Sequence, residues 1–401
     1  MHILRKESLL SMFAIMRCPL LFGLAIIALA LVGCEKPASK TIPEQTSAQQ
    51  ASLQILDVGV FLPFDGNDAA TAQDALNGLQ LAAEQCNAGG GVDGRAVRLV
   101  VRDTDGTPES AEKAIRALVK DDKVAALIGI GSGAQVASLV EELKVPLIAI
   151  GSTMAARMSS EPWVSRICYA DYHSGHIMAE VAFTLGALRG IVLYDPEDMY
   201  AQTLALSFGK KFKSKQRTAF VGEPYKADTT DFSGPLQNIK SKNPDIVYLP
   251  ADDRVSAEIL KQARSMGLMM PFLGTATWDS PEFLTLAGNA ANGCYLPARY
   301  NPIVDDEKVM LFAPAYAEKF GAAPTAPAAL GYESLVVLTH AIRSAGSTGG
   351  KDILNALHSI KDLPGLTGPI TIDPERIIEF SVPVLKVEDG KFKYLETLKV
   401  K

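Results

Sequence analysis

The chain predicts an α/β protein built from two sheet-forming halves, each a mostly parallel sheet flanked by helices. Three observations carry this. Strand and helix signals alternate throughout, the pattern of parallel strands joined by helical crossovers. The strands read as unbroken apolar runs rather than alternating ones, as expected when both faces are covered. The pattern also restarts near Gly190, and 401 residues are enough for two domains.

The front end stands apart. Arg5, Lys6 and Arg17 precede an uncharged apolar run over 20–33, too short to span a bilayer and suited to a secretory h-region. It closes on Leu31-Val32-Gly33-Cys34, similar to the lipobox of bacterial lipoproteins, which implies cleavage before Cys34 and its acylation. Residues 1–33 are thus expected to be a signal peptide. Residues 34–53, rich in Ser, Ala, Gln, Thr and Pro, are expected to be a flexible tether.

In the first half, strands are expected over 55–61, 97–102, 124–130, 146–150 and 164–169, with helices over 69–86, 108–119 and 134–143. Asp171 is expected to begin a linker into a helix over 176–185. The stretch 124–153 is the centre of this half. Gly131, Ser132 and Gly133 reverse the chain after one buried strand, and Gly151, Ser152 and Thr153 follow the next. Two small-residue turns at the carboxyl ends of neighbouring parallel strands are where open α/β sheets bind ligands. The N–H groups of Gly133 and Ala134 open a helix, a site for an anionic oxygen. The run 129–134 also matches the G-x-G-x-x-A dinucleotide fingerprint, but 148–152 lacks the acid that should follow. A turn without any ligand is the third reading.

The second half repeats the scheme. Strands are expected over 190–194, 218–221, 245–249, 271–273 and 293–297, and helices over 200–212, 232–239, 255–266 and 281–287. Helices over 308–320, kinked at Pro314, and 328–345 follow, then short strands near Pro369 and Val382 and a hairpin turn at 388–390.

Composition narrows the function. The chain is 48% hydrophobic and 21% charged, with formal charge −6. Removing 1–33 takes away three cations and one anion and leaves about −8, which argues against nucleic acid or an anionic membrane surface as partner. Cys86, Cys168 and Cys294 are too few and too scattered for a disulfide framework or a metal site, and no cofactor is implied. Cys168 and Cys294 are either bridged or buried as free thiols. His173 and His176 lie at helical spacing beside Asp171 without a further cluster, so a hinge or capping role is expected over a metal. No Ser–His–Asp order or G-x-S-x-G elbow points to an enzyme.

A resemblance joins these readings. From 53 onward the chain resembles the periplasmic solute-binding proteins of the leucine/isoleucine/valine type. It does so through Pro63-x-x-Gly66, Asn87-Ala88-Gly89-Gly90, Val145-Pro146-Leu147-Ile148, Arg166-Ile167-Cys168-Tyr169-x-Asp171, Tyr194-Asp195 with Tyr200, Asp231-Phe232, Asn243-Pro244-Asp245, Lys261-Gln262-Ala263-Arg264, Trp278-Asp279-Ser280-Pro281 and Gly331-Tyr332. The resemblance implies the type I periplasmic binding fold, two Rossmann-like lobes joined by a three-segment hinge that closes on ligand. The crossings fall near Asp171, Tyr300 and Thr367. The first lobe then comprises 54–170 plus 301–367 and the second 171–300 plus 368–401.

The resemblance also implies a ligand site. Ser132, Gly133 or Ala134, the carbonyl of Gly151 and the hydroxyl of Thr153 would hold a carboxylate and part of an ammonium. Tyr200 would cover the ligand. Charge-assisted bonds of this kind contribute roughly 1.5–3 kcal/mol each. Phe64 and Asp65 are candidates for the rim and Trp278 for the cleft wall, each with a turn or core role as the alternative. The chain departs from the family at Ala276, where an acid usually faces the α-ammonium, and at Asp252 and Asp253, where small or aromatic residues are usual. Either Asp252 supplies that charge across the cleft, or the ligand has no amino group there.

The expected function is a receptor anchored to the membrane through lipid alone, exported to the bacterial cell envelope. It would pass an amino acid or related small carboxylate to an ABC permease. The alternatives are an envelope lipoprotein of the same fold that docks to a protein with its cleft vestigial, and an exported dinucleotide enzyme.

Overall fold

The computed structural model describes residues 54–130, 134–151, 161–169, 171–226, 228–300, 307–366, 368–372, 378–379 and 381–399. The first sheet consists of β1 (Ile55–Pro63), β2 (Ala96–Thr104), β3 (Ala126–Ile130), β4 (Leu147–Ile150) and β5 (Val164–Ile167), all parallel, in the order β2-β1-β3-β4-β5. The crossover helices are α1 (Ala69–Ala88), α2 (Pro108–Lys120) and α3 (Ala134–Leu143). Thr107 starts α2 by accepting from the Ser110 N–H, with Pro108 following at the position where a missing N–H costs nothing. Strands β3 and β4 are buried almost along their whole length, which their apolar runs require.

The second sheet has seven strands: β6 (Arg189–Tyr194), β7 (Thr218–Pro224), β8 (Ile246–Tyr248), β9 (Phe272–Leu273), β10 (Tyr295–Pro297), β14 (Ser381–Glu388) and β15 (Lys391–Lys399). Their order is β15-β14-β10-β9-β8-β6-β7, parallel from β7 to β10 and antiparallel beyond it. Asp389 and Gly390, both with positive φ, make the tight turn between β14 and β15. Helices α5 (Met199–Lys213), α6 (Ser233–Lys242), α7 (Asp253–Ser265) and α8 (Pro281–Ala287) serve this sheet. A small third sheet joins β11 (Leu363–Gly365), β12 (Gly368–Ile372) and β13 (Ile378–Glu379). Ile370 and Ile372 of β12 are buried, and the Ile372 N–H donates to the Ile360 carbonyl. The chain therefore rejoins the seven-stranded sheet only at β14.

Helix α4 (Asp171–Thr184) starts five residues earlier than its apolar spacing suggested, so no linker separates Asp171 from it. Gly175, which reads as a helix breaker, is there for packing. A Cβ on it would lie 2.7 Å from the Leu204 carbonyl oxygen of α5. The same device joins α1 to α10 (Ala326–Ala345). Cβ atoms on Gly78 and Gly331 would sit 1.9 Å and 2.2 Å from backbone oxygens of the opposing helix. Helix α9 (Glu307–Phe320) contains Pro314. Helix α11 (Gly350–Leu357) was not evident from the sequence, because Ser347 to Gly350 reads as a loop; Ile353, Leu354 and Leu357 bury it.

Candidate ligand-binding cleft

In each main sheet the strand order reverses between two neighbours: β1 and β3 in the first, β6 and β8 in the second. Connections on either side of such a switch leave by opposite faces, opening a crevice outside the carboxyl ends of the strands. The expected site residues come from those ends.

On the first sheet, Phe64 follows β1 half-buried against the core, and its N–H donates to Asp103 Oδ1 at 3.0 Å. Gly151 follows β4, exposed, with φ +71° and no atom within 4 Å of where a Cβ would stand. That open space suits a backbone approached by ligand. Helix α3 begins at Ala134, which is exposed, so the first-turn N–H groups that have no acceptor within the helix stand just beyond the end of β3. Ser132, Gly133, Thr153 and the lipidation candidate Cys34 lie outside the described residues. Gly129, first glycine of the dinucleotide fingerprint, lies inside β3 rather than in a turn. A Cβ there would meet the Phe61 ring at 2.4 Å, so sheet packing accounts for it.

On the second sheet, Tyr200 stands in the first turn of α5, half-buried, its N–H donating to the capping Asp198 carboxylate at 2.8 Å. Asp252 caps α7, its Oδ1 accepting from the Val255 N–H at 2.8 Å. One oxygen is thus committed to the helix, as an N-terminal acid ordinarily is. Trp278 is not a cleft wall: it is fully buried, stacked on Phe283 with ring centroids 4.7 Å apart. Its indole N–H donates to Ser256 Oγ at 2.9 Å and reaches the Ala251 carbonyl at 3.3 Å. The hydroxyls of Thr275 and Thr277 reach that same carbonyl at 3.4 Å. A buried indole N–H needs an acceptor, and meeting that need stitches the loop after β9 to the loop after β8. Gly274 is required beneath it, since a Cβ would strike the indole at 2.1 Å.

Asp279 stands out in the structure, although the sequence assigns it no role of its own. It closes the short turn Ala276–Trp278, half-buried, immediately before Ser280 caps α8. Burial pushes its carboxyl up to about 7, and the nearby Arg299 guanidinium counters this only in part. Arg299 follows β10, and the buried Tyr169 follows β5; both lie in the electrostatic neighbourhood of Asp279. Tyr169 also neighbours Tyr200 and bonds with Ser174. Side chains from both sheets are thus close enough to Tyr169 to act on it electrostatically.

Other expectations resolve plainly. Cys168 and Cys294 are buried thiols that form no disulfide, and burial holds the Cys294 thiol up at about 12. His173 is largely buried beside Tyr172 and His176 in α4, and burial lowers its imidazole to about 4. Arg166 and Glu161 form an ion pair that is 1% and 5% exposed, fixing the chain just after 152–160.

Two α/β lobes, each with a strand-order switch in its sheet, are the architecture of hinged binding proteins, a class that traps small solutes between its lobes. The chain belongs to the periplasmic binding protein family, whose family model matches residues 56–391. Leu/Ile/Val-binding protein homolog 2 of Brucella abortus is 25% identical over 350 residues, covering 84% of this chain and 93% of that protein. A leucine-binding protein from Thermotoga maritima superposes with TM-score 0.75 at 30% identity, over 86% of this chain and 99% of that one. The branched-chain amino acid transporter substrate-binding protein of Streptococcus pneumoniae, in complex with isoleucine, gives TM-score 0.76 at 26% identity, over 86% and 100%. This chain is therefore a solute-binding protein of the leucine/isoleucine/valine type, a family of ABC-transporter components rather than enzymes. Membership implies export to the periplasm. Among the described residues no helix is long and apolar enough to cross a membrane.

Proposed function

We propose that the protein is the lipid-anchored receptor of an ABC importer and binds an amino acid or related small carboxylate between its lobes. The observation that carries this is the open approach to the backbone of Gly151 at the carboxyl end of β4, beside the strand that leads into α3. Gly151 has open space where a Cβ would stand, and α3 begins here with first-turn N–H groups that have no acceptor within the helix. Ser132, Gly133 and Thr153 belong to the same two turns and would complete the grip on a carboxylate. The chain would pass between lobes near Asp171, Tyr300 and Thr367, and Tyr200 would close over the ligand. The relatives that bind leucine and isoleucine support the ligand class, and Leu31-Val32-Gly33-Cys34 supports the anchor.

Thermal melting against single amino acids and small carboxylates tests the reading. A ligand at about 100 times its Kd stabilises by roughly 2.7 kcal/mol, and Thr153→Ala should lose most of that shift. No shift with any of them would remove it. Cys34→Ser should release the protein from membranes if the anchor is real. The missing acid at Ala276 favours a second reading, a protein-docking lipoprotein with a vestigial cleft, which the same absence of ligand shifts would promote.

A further inference from the structure

We infer that the amino-terminal end of the first sheet is a membrane-contact face, whose cavity takes the anionic phosphate headgroups of the bilayer that holds the lipid anchor. The inference rests on the anchor reading above and is independent of which solute the cleft takes. An open cavity of about 550 Å³ lies where β1, β3 and β4 begin, and Gln54, Asp57, Arg95, Lys123, Lys144 and Gly350 are among its lining residues. Backbone bonds tie its walls to the start of β1. The Ala96 N–H donates to the Gln54 carbonyl and the Ala125 N–H to the Asp57 carbonyl, each at 2.9 Å. These bonds place Arg95 on one side of β1 and Lys123 on the other, as the order β2-β1-β3 requires, and β4 beside β3 brings in Lys144.

The cavity is cationic. Asp57, the one acid among its lining residues, is taken by Arg98 through two bonds of 2.6 Å and 2.8 Å. Arg95 is held loosely by Asp93, at 3.6 Å. Lys123 and Lys144 are exposed, and among the described residues neither has an ion pair. The Lys144 ammonium stands over the Trp163 ring, 5.5 Å from its centroid. Both lysines sit at positive φ, +57° and +55°, in the turns that close α2 and α3. Glycine is the usual residue in such a turn, and the carboxyl end of a helix accounts for a cation there. Two such turns side by side at one cavity concentrate that charge.

The point of chain entry says what covers this face. Gln54 lines the cavity and follows directly on 34–53, the expected tether from the lipidation candidate Cys34. A flexible segment of that length has a root-mean-square reach of roughly 25 Å, which keeps the cavity at a millimolar effective concentration of headgroups. Three cations are too few to hold the protein on a bilayer alone, yet at that concentration they decide which face meets it. The mature charge of about −8 is an average over the whole surface. Attraction within a Debye length of roughly 10 Å is set by the local charge instead. The ligand crevice lies outside the opposite, carboxyl ends of the same strands, so this contact leaves the cleft open to solute.

The test places the acylated mature protein on phosphatidylcholine vesicles with or without about 30% phosphatidylglycerol. A brief pulse of an amine-acylating reagent is read by mass spectrometry. Lys123 and Lys144 should react at least about fivefold more slowly on the anionic vesicles, and about 0.5 M salt should erase the difference. Lys261, exposed on the second lobe, should react equally on both. Lys351 follows Gly350 at the cavity and should share the protection, then lose it in the double variant Lys123→Gln, Lys144→Gln. Equal labelling on the two vesicles, or protection of Lys261 to the same degree, overturns the inference while the anchor reading stands. Protection on neutral vesicles by dissolved glycerol phosphate also overturns it, since the cavity is then a site for a soluble anion. If the wild type leaves the membrane fraction as Cys34→Ser does, the anchor reading falls and this inference with it.

Discussion

Asp279→Asn makes a prediction about stability, with a sign opposite to that of most aspartates. The folded carboxyl sits at about 7, against roughly 3.9 in an unfolded chain. Between those values the folded state holds the extra proton, so stability falls as pH rises through the window. Above about 7 the full penalty is present. Three units correspond to a ceiling of about 4 kcal/mol, and relaxation around a half-buried group brings the expected figure nearer about 2 kcal/mol. Asparagine keeps the shape and cannot ionise. The ligand-free variant should therefore be more stable than wild type by about 2 kcal/mol at about pH 8, with the gain vanishing near about pH 4. Urea unfolding followed by circular dichroism at several pH values reads both numbers. Equal stability at the alkaline end, or a gain that persists unchanged in acid, would refute the reasoning. A native acid kept at such a cost is characteristic of sites where function outweighs stability.

Three further outcomes follow from the packing. Gly331→Val places a branched side chain where a Cβ already meets the Ala75 carbonyl oxygen at 2.2 Å. It should lower stability by at least about 1–3 kcal/mol in thermal melts, by forcing α10 from α1. Glu161→Gln leaves Arg166 buried beside a neutral group and should cost about 3–5 kcal/mol in urea unfolding. Cys168 and Cys294, buried and not in a disulfide, should react with a thiol reagent only after unfolding and without prior reduction. Half-buried Cys86 should react first.

Much of the fold was legible because its strands are buried on both faces and its crossover helices start cleanly. Helix α3 and helix α8 fall where their apolar spacing and small or capping residues put them. The sequence failed where glycine has two meanings. Gly175 read as the end of a linker, yet it lies within α4 because a neighbouring helix needs the room. Gly129 read as half of a phosphate-binding fingerprint, yet it makes room for Phe61. Short α11 was invisible behind Gly349 and Gly350, since only tertiary burial of Ile353 and Leu357 holds it.

The site was less legible than the fold. Asp252 drew attention as an unusual acid at a strand end, and its capping role is equally written in the sequence by the helix that follows. Trp278 offered no local sign of whether it faced the cleft or the core; three contacts from distant residues decide it. Asp279 sits just ahead of a helix N-terminus, where an acid is ordinary. Nothing local announces that Arg299, twenty positions on, and Tyr169, on the other sheet, share its neighbourhood. The strand order puts the ends of β9 and β10 side by side, while Tyr169 comes from the end of β5 in the other sheet, a relation only the tertiary structure gives.

The most direct measurement is a crystal structure of the mature chain grown with L-leucine after refolding. Solute density should lie between the lobes, its carboxylate at the turns following β3 and β4. Lobes found closed on each other with protein side chains occupying that space, and no room for a solute, would contradict the account.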